Sequence, residues 1–173
     1  GLELPSLLAD RTDPFEFCYV DVEMQGSIAR VKLNRPEAMN ALNVELVAQL
    51  ELEVNRLEAD DQVTTIVFEG AGKAFIAGAD VKFFVDKLRA DSFEDIFKFT
   101  EAGHRLLNKI EDSTKTTIAL ATGITMGGGL EFALACDYRI GSNKTLLQFP
   151  ETGIGIYPGL GGTQRTPRMM GRE

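Results

Sequence analysis

Histidine occurs once and cysteine only twice among the 173 residues, and these scarcities exclude several kinds of chemistry. A lone His104 cannot furnish a multi-histidine metal site, and any Ser-His-Asp nucleophile system would have to run through it. Cys18 and Cys136 are far apart in apolar surroundings. They provide neither a disulfide scaffold nor a zinc cluster, and they predict two buried thiols in a reducing, cytoplasmic compartment. No apolar run approaches the roughly 18–20 residues needed to cross a bilayer, so no membrane partner is expected. No basic start followed by an apolar block marks a secretory signal. Basic charge is in deficit, with 18 Lys+Arg against 26 Asp+Glu and a net charge of −8. Without a basic stripe, nucleic acid is not expected as a partner, although a small anionic ligand held by a few local groups is still allowed.

What is present is a folded domain's composition, 44% hydrophobic and 25% charged. Gly1–Asp13 has little periodicity and reads as a tail or linker, leaving 14–173 as the core. The chain begins with Gly1 rather than Met and stops at Gly171-Arg172-Glu173 as a new segment begins, so it is expected to be truncated. Phe17–Met24 and Ser27–Leu33 are β-rich runs around Gln25-Gly26 and predict a hairpin. Val47, Leu50, Val54 and Leu57 recur at helical spacing, which predicts an amphipathic helix over Asn43–Ala59 capped by Asn43. Val63–Glu69 then closes a β-α-β unit, and Phe93–Glu111 reads as a second long helix. Thr117–Ala121 is expected to be a buried strand, Leu130–Ala135 a short buried helix, and Tyr138–Ile140 and Leu146–Phe149 further strands. This alternation predicts an α/β domain.

Eleven of the 17 glycines fall from Gly123 onward, which points to backbone groups doing chemistry in that third of the chain. Met126-Gly127-Gly128-Gly129-Leu130-Glu131 follows a buried strand and opens a helix. Free N–H groups there, reinforced by the helix dipole, suit a phosphate or a developing oxyanion; a plain tight turn is the alternative. A Walker loop is excluded because Gly72-Lys73 is followed by Ala74 and position 67 is valine. No G-x-G-x-x-G follows the first strand, which excludes the dinucleotide fingerprint. Ala74–Lys82 is a second loop of small residues, either an amide-bearing site or a simple connector. The third runs through Phe149-Pro150-Glu151-Thr152-Gly153 to Pro158-Gly159-Leu160-Gly161-Gly162-Thr163-Gln164-Arg165. Glu151 stands apart from any charged helix face, and Glu131 interrupts an apolar run. A carboxylate in an apolar cleft has a raised pKa suited to acid–base work; a helix cap or a surface group is the alternative for each.

These three loops, together with Asn34-Arg35-Pro36-Glu37-Ala38-Met39-Asn40-Ala41-Leu42, resemble the enoyl-CoA hydratase/isomerase (crotonase) family from about Tyr19 to Gly171. The resemblance implies a spiral of repeated β-β-α units, with the family's C-terminal assembly helices missing from this chain. It implies that the N–H groups of Ala79 and Gly128 form an oxyanion hole for a thioester carbonyl. Glu131 and Glu151 match the two catalytic carboxylates, and Gly159 matches the glycine beside the reacting water. Ala77, Ala79, Asp80, Val81 and Lys82 correspond to the loop that grips CoA, with Lys82 either a phosphate partner or a solvated lysine. Having both glutamates and the Pro158-Gly159 loop favours hydration of an enoyl-CoA over isomerisation. The acyl-CoA is then substrate rather than cofactor, no metal is implied, and the intact module is expected to be a homotrimer or hexamer.

Two rival functions are a serine peptidase of the same fold, which lacks a nucleophile-elbow serine here, and a non-catalytic acyl-CoA-binding fragment. Gly1–Leu8 resembles the tail of a 3-hydroxyacyl-CoA dehydrogenase module, so NAD enters only if such a module precedes this one. Glu37 departs from the family, which often has lysine there, and so weakens the expected CoA-phosphate contact at that loop.

Overall fold

The computed structural model describes residues 17–171. The expected tail over Gly1–Asp13 and the dehydrogenase-like Gly1–Leu8 lie outside the described residues. β1 (Val20–Gln25) and β2 (Ile28–Leu33) form the antiparallel hairpin, turning through Gly26-Ser27. α1 (Val44–Glu58) follows, its first turn capped by the Asn43 side chain, which accepts from the Leu46 N–H. Its Leu46, Val47, Leu50, Val54 and Leu57 are all buried, as their spacing requires. β3 (Thr65–Gly70) then pairs parallel to β2 and completes the β-α-β unit.

From β3 onward the chain repeats one plan. β3 joins a five-stranded sheet and β4 (Ala74–Ala77) a three-stranded one, before α2 (Val81–Arg89) and α3 (Phe93–Glu111). β5 (Thr116–Leu120) and β6 (Ile124–Met126) then enter the same two sheets before α4 (Gly128–Ala135). β7 (Tyr138–Ile140) and β8 (Leu146–Gln148) do so again before α5 (Gly162–Met170). Each repeat therefore advances one strand in both sheets, giving the orders β1-β2-β3-β5-β7 and β4-β6-β8. This is the spiral of β-β-α units expected from the resemblance. β3, β5 and β7 are parallel neighbours, and so are β4, β6 and β8.

α4 lies at the centre. Phe132 packs edge-on against Phe68 of β3 and Phe75 of β4, with ring centroids 5.0 and 5.8 Å away, so one side chain ties both sheets together. Burying rings of this size contributes about 1.5–3 kcal/mol each.

Several sequence expectations change. Ala74–Lys82 is not a continuous loop, since it contains β4 and the first residues of α2. The strand was hidden among small residues that read as a loop. α2 buries no residue fully and rests on half-buried Phe83 and Phe84, which pack on Phe99. The central helix begins at Gly128 rather than Leu130, and the glycine-rich third loop ends in α5 at Gly162. Cys136 is buried, and burial pushes its thiol above the usual range, but Cys18 is exposed, so the expectation of two buried thiols holds for one only. Among the described residues no helix is long and apolar enough to cross a membrane.

Candidate active site

The three strands of the smaller sheet run parallel, so their carboxyl ends lie together at one edge, where ligands of parallel sheets are generally bound. β4 ends in Gly78-Ala79, β6 in Gly127-Gly128, and β8 runs through Phe149-Pro150 to Glu151. The loops are tied to one another: Gly127 N–H donates to Gln148 O at 2.9 Å, and Leu42 N–H to Gly78 O at 2.9 Å. They enclose a cavity of about 270 Å³ whose wall includes Ala77, Ala79, Gly128, Glu131, Glu151 and Gly159. Phe84, Phe99, Met126 and Leu160 give it an apolar lining.

Gly78 decides where one amide points. Ala77 N–H donates to Met39 O and Asp80 N–H to Leu42 O, so both face the same neighbouring segment. Residues an odd number apart face opposite edges of a regular strand. The change of phase occurs at Gly78, whose φ of 78° an L-residue rarely adopts. Ala79 N–H is thereby directed away from that segment and makes no hydrogen bond among the described residues. Gly128 N–H is the first of α4 and also makes none, as expected for an orphan donor at the positive end of a helix. Both belong to residues of the cavity wall.

Glu131 sits in the first turn of α4 and is 1% exposed. Its Oε1 accepts two backbone N–H groups, from Leu160 at 2.7 Å and Gly162 at 2.8 Å. Burial, the largest influence, holds its pKa above the ordinary carboxylate range; the Gly162 and Leu160 N–H groups oppose that, the charge of Glu151 adds to it, and His104 opposes it. Glu151 is 8% exposed, at the start of a 3₁₀ turn over Glu151–Ile154. Its Oε2 is buried with no hydrogen-bond partner. Buried carboxylate oxygens are rarely left unbonded, and one that faces a cavity is available to a substrate or a water. Both glutamates therefore face one site and neither is a surface group, while Glu131 also satisfies the first N–H of α5.

The remaining expected residues divide. Ala77, Ala79 and Val81 line the cavity, and Gly159 lies at its exposed side. Asp80 and Lys82 lie outside its wall. The Asp80 carboxylate is engaged as the N-cap of α2, accepting from the Lys82 N–H, and in an ion pair with Arg35 at 2.8 Å. Lys82 is exposed on α2. Glu37 is exposed, 4.0 Å from Arg35 Nε. His104 lies not in the cavity wall but in a neighbouring hollow with Asn108, Glu111 and Arg165, so no peptidase-like arrangement runs through it. Among the described residues no group of three His, Cys, Asp or Glu side chains is placed to hold a metal.

Sequence reasoning missed the supporting residues. Arg35 joins the site through Asp80, and fully buried Asn40 bonds Ala71 O, Ala74 O and Arg35 N–H, anchoring the segment against which β4 lies. Both stand in the Asn34–Leu42 motif, whose resemblance to the family assigned neither of them a role. Leu160 and Gly162 act through backbone N–H groups, which no side-chain pattern reveals.

The sequence matches the family described as Enoyl-CoA hydratase/isomerase over residues 28–173. It is 37% identical over 153 residues to a short-chain-enoyl-CoA hydratase of Clostridium acetobutylicum, covering 88% of this chain and 57% of that protein. It is 36% identical over 151 residues to the fatty acid oxidation complex subunit alpha of Pseudomonas putida, covering 87% of this chain and 21% of the other. The crystal structure of an enoyl-CoA hydratase from Bacillus anthracis superposes with a TM-score of 0.80 at 29% identity, over 89% of this chain and 59% of that one. The chain thus spans a little over half the length of the hydratases it matches. With the repeating β-β-α architecture and the matched length, this places the chain in the enoyl-CoA hydratase/isomerase family.

Proposed function

We propose that this chain forms the catalytic core of an enoyl-CoA hydratase, adding water across the 2,3-double bond of an enoyl thioester to give the 3-hydroxyacyl-CoA. One observation carries the reading: two buried carboxylates and two backbone N–H groups without acceptors converge on one apolar cavity. A cavity of about 270 Å³ admits the acyl-thioester end, while the bulk of CoA lies along the mouth beside Val81 and Lys82.

As water oxygen bonds to Cβ, the π electrons move through Cα onto the thioester oxygen. The N–H groups of Ala79 and Gly128 hold that charge; losing one such donor costs about 3–4 kcal/mol of barrier. Glu131 takes the water proton, and its raised pKa makes it a stronger base than an exposed carboxylate. Glu151 delivers a proton to Cα. Proton exchange between them and solvent restores the starting state. Gly159 leaves room for the water at the exposed side.

The same reading takes the exposed apolar side chains of α2, β7 and β8, Leu88, Tyr138, Ile140 and Leu147 among them, as surface covered in a homotrimer or hexamer. It places the enzyme in the cytoplasm and allows it to be one part of a multifunctional fatty-acid oxidation protein, with NAD used elsewhere in that polypeptide. The test is the loss of conjugated-thioester absorbance from crotonyl-CoA, followed with this chain and with the full-length parent. Hydration by the parent supports the proposal; its absence there overturns it.

A further inference from the structure

Both N–H groups that bond Glu131 come from one short stretch, Leu160 to Gly162, which leads from exposed Gly159 into the first residue of α5. That stretch is held by a buried cation. Arg165 Nη1 donates to Leu160 O at 2.9 Å. The rest of its guanidinium is fixed by the last turn of α3: Nε and Nη2 reach Glu111 Oε2 at 3.0 and 2.6 Å, and Nη2 reaches Asn108 Oδ1 at 3.1 Å. The Arg165 side chain is only 7% exposed, whereas that of Glu111 is 45% exposed.

Burying a guanidinium against a half-exposed carboxylate is a poor way to gain stability, because the cost of desolvation offsets the attraction. What the arrangement supplies is geometry. Arginine presents a rigid, planar set of donors, and all three nitrogens are used here to fix one carbonyl relative to one helix. Residue Leu160 is held at its carbonyl by Arg165 and at its N–H by Glu131, so the two peptide units that flank its Cα are both fixed.

We propose that Arg165, clamped by Glu111 and Asn108, is a positioning residue that aims the Leu160 and Gly162 amides at the Glu131 carboxylate. The kinetic part of this inference rests on the hydratase reading; the structural part does not. Two other charges act on Glu131, those of Glu151 across the cavity and of His104 on α3, which lines the same hollow as Arg165. Arg168 shares the hollow of His104 and Arg165 and is exposed, so it serves as a control.

The experiment uses the full-length parent with glutamate labelled by carbon-13 at the side-chain carboxyl, the Glu131 resonance being assigned by its loss in Glu131→Gln. In Arg165→Met the Glu131 titration moves to higher pH, because two donors that stabilise the anion are released. Arg165→Lys and Glu111→Gln move it less, in the same direction, and Arg168→Ala leaves it in place. On crotonyl-CoA, kcat of Arg165→Met falls roughly 10- to 100-fold, the cost of misplacing a reacting group by about an ångström. KM changes by less than about two-fold, since the acyl cavity is intact. A folded Arg165→Met with the Glu131 titration unmoved overturns the inference, even if activity is lost. If Arg165→Met does not fold, the same criterion applies to Arg165→Lys and Glu111→Gln. A parent that fails to hydrate crotonyl-CoA removes the hydratase reading, while the titration still decides the role of Arg165.

Discussion

The carboxylate of Glu151 occupies the space that a side chain on Gly127 would need: a Cβ placed there stands 2.6 Å from Glu151 Oε1. Gly127 also has a φ of 50°, which disfavours any L-residue. Gly127→Ala should therefore lower stability by about 1–3 kcal/mol through backbone strain, and it should also turn the Glu151 side chain out of the cavity. Gly128→Ala is the comparison. Its Cβ would lie 3.3 Å from Leu42 Cδ1 and 3.4 Å from Leu160 Cδ1, and its φ is not positive, so side-chain adjustment can accommodate it. Thermal melts of the two variants should differ, with Gly127→Ala unfolding at the lower temperature.

Replacing either carboxyl group isolates the proton-transfer steps. Glu131→Gln and Glu151→Gln keep size and burial but remove the titrating group, so turnover of crotonyl-CoA should fall about 10²- to 10⁴-fold. Binding of an unreactive acyl-CoA should be nearly unchanged, because the apolar wall and the Ala79 and Gly128 amides remain. Isothermal titration beside the absorbance assay separates the two effects, and full activity in Glu151→Gln would remove that residue from the mechanism.

Stability should respond to pH through Glu131. Its pKa in the folded chain lies above the ordinary value of 4.5 because the side chain is buried. Between the unfolded and folded values the folded chain holds the proton more tightly, so unfolding releases it and stability falls as pH rises. The contribution of protonated Glu131 is complete below 4.5 and is lost as pH passes the raised folded value. Glu131→Gln carries no charge, so its melting temperature should exceed that of the wild type at neutral pH and converge with it in acid. A difference that widened towards acid would contradict this assignment.

The sequence revealed elements whose period is long and whose faces are clean. α1 could be placed from four apolar residues and the Asn43 cap because its buried face comes from within one segment. β4 and β6 could not be placed, since each is a short run set among glycines and small residues that read as loop. α5 was hidden by its two opening residues, Gly162-Thr163, and by Pro167 inside it. At the site, Glu131 could be found because it interrupts an apolar run, and Glu151 because it stands apart from any charged helix face, between a proline and a glycine-rich loop. The amides of Leu160 and Gly162 could not, since every residue but proline carries one and only the fold selects among them.

Lys82 tests the proposed CoA-binding side of the site. It projects from the start of α2, outside the acyl cavity, where an ammonium can meet a phosphate without touching the reacting atoms. Lys82→Ala should raise KM for crotonyl-CoA several-fold, by about 1 kcal/mol as for an exposed ion pair, and leave kcat unchanged. The increase should shrink as salt is added, because exposed charges are screened. An effect on kcat, or one independent of salt, would place Lys82 in another role.

Asn40 offers the most direct test of how the early part of the chain supports the site. It is 0% exposed, at a φ of 55°, and its side chain donates to Ala71 O and Ala74 O at 2.9 Å each while accepting from Arg35 N–H. Asparagine tolerates the left-handed conformation better than other side chains do. Asn40→Ala removes the partner of one buried and two half-buried backbone groups and places a β-carbon in a disfavoured region, which should cost about 3–5 kcal/mol. Asn40→Gly loses the same hydrogen bonds but not the conformational fit, so it should be less damaging than alanine by about 1 kcal/mol. Urea denaturation should show both midpoints lowered, glycine above alanine, with the slope unchanged. If alanine instead matched or exceeded glycine, the left-handed backbone at residue 40 would not be what asparagine is there to stabilise.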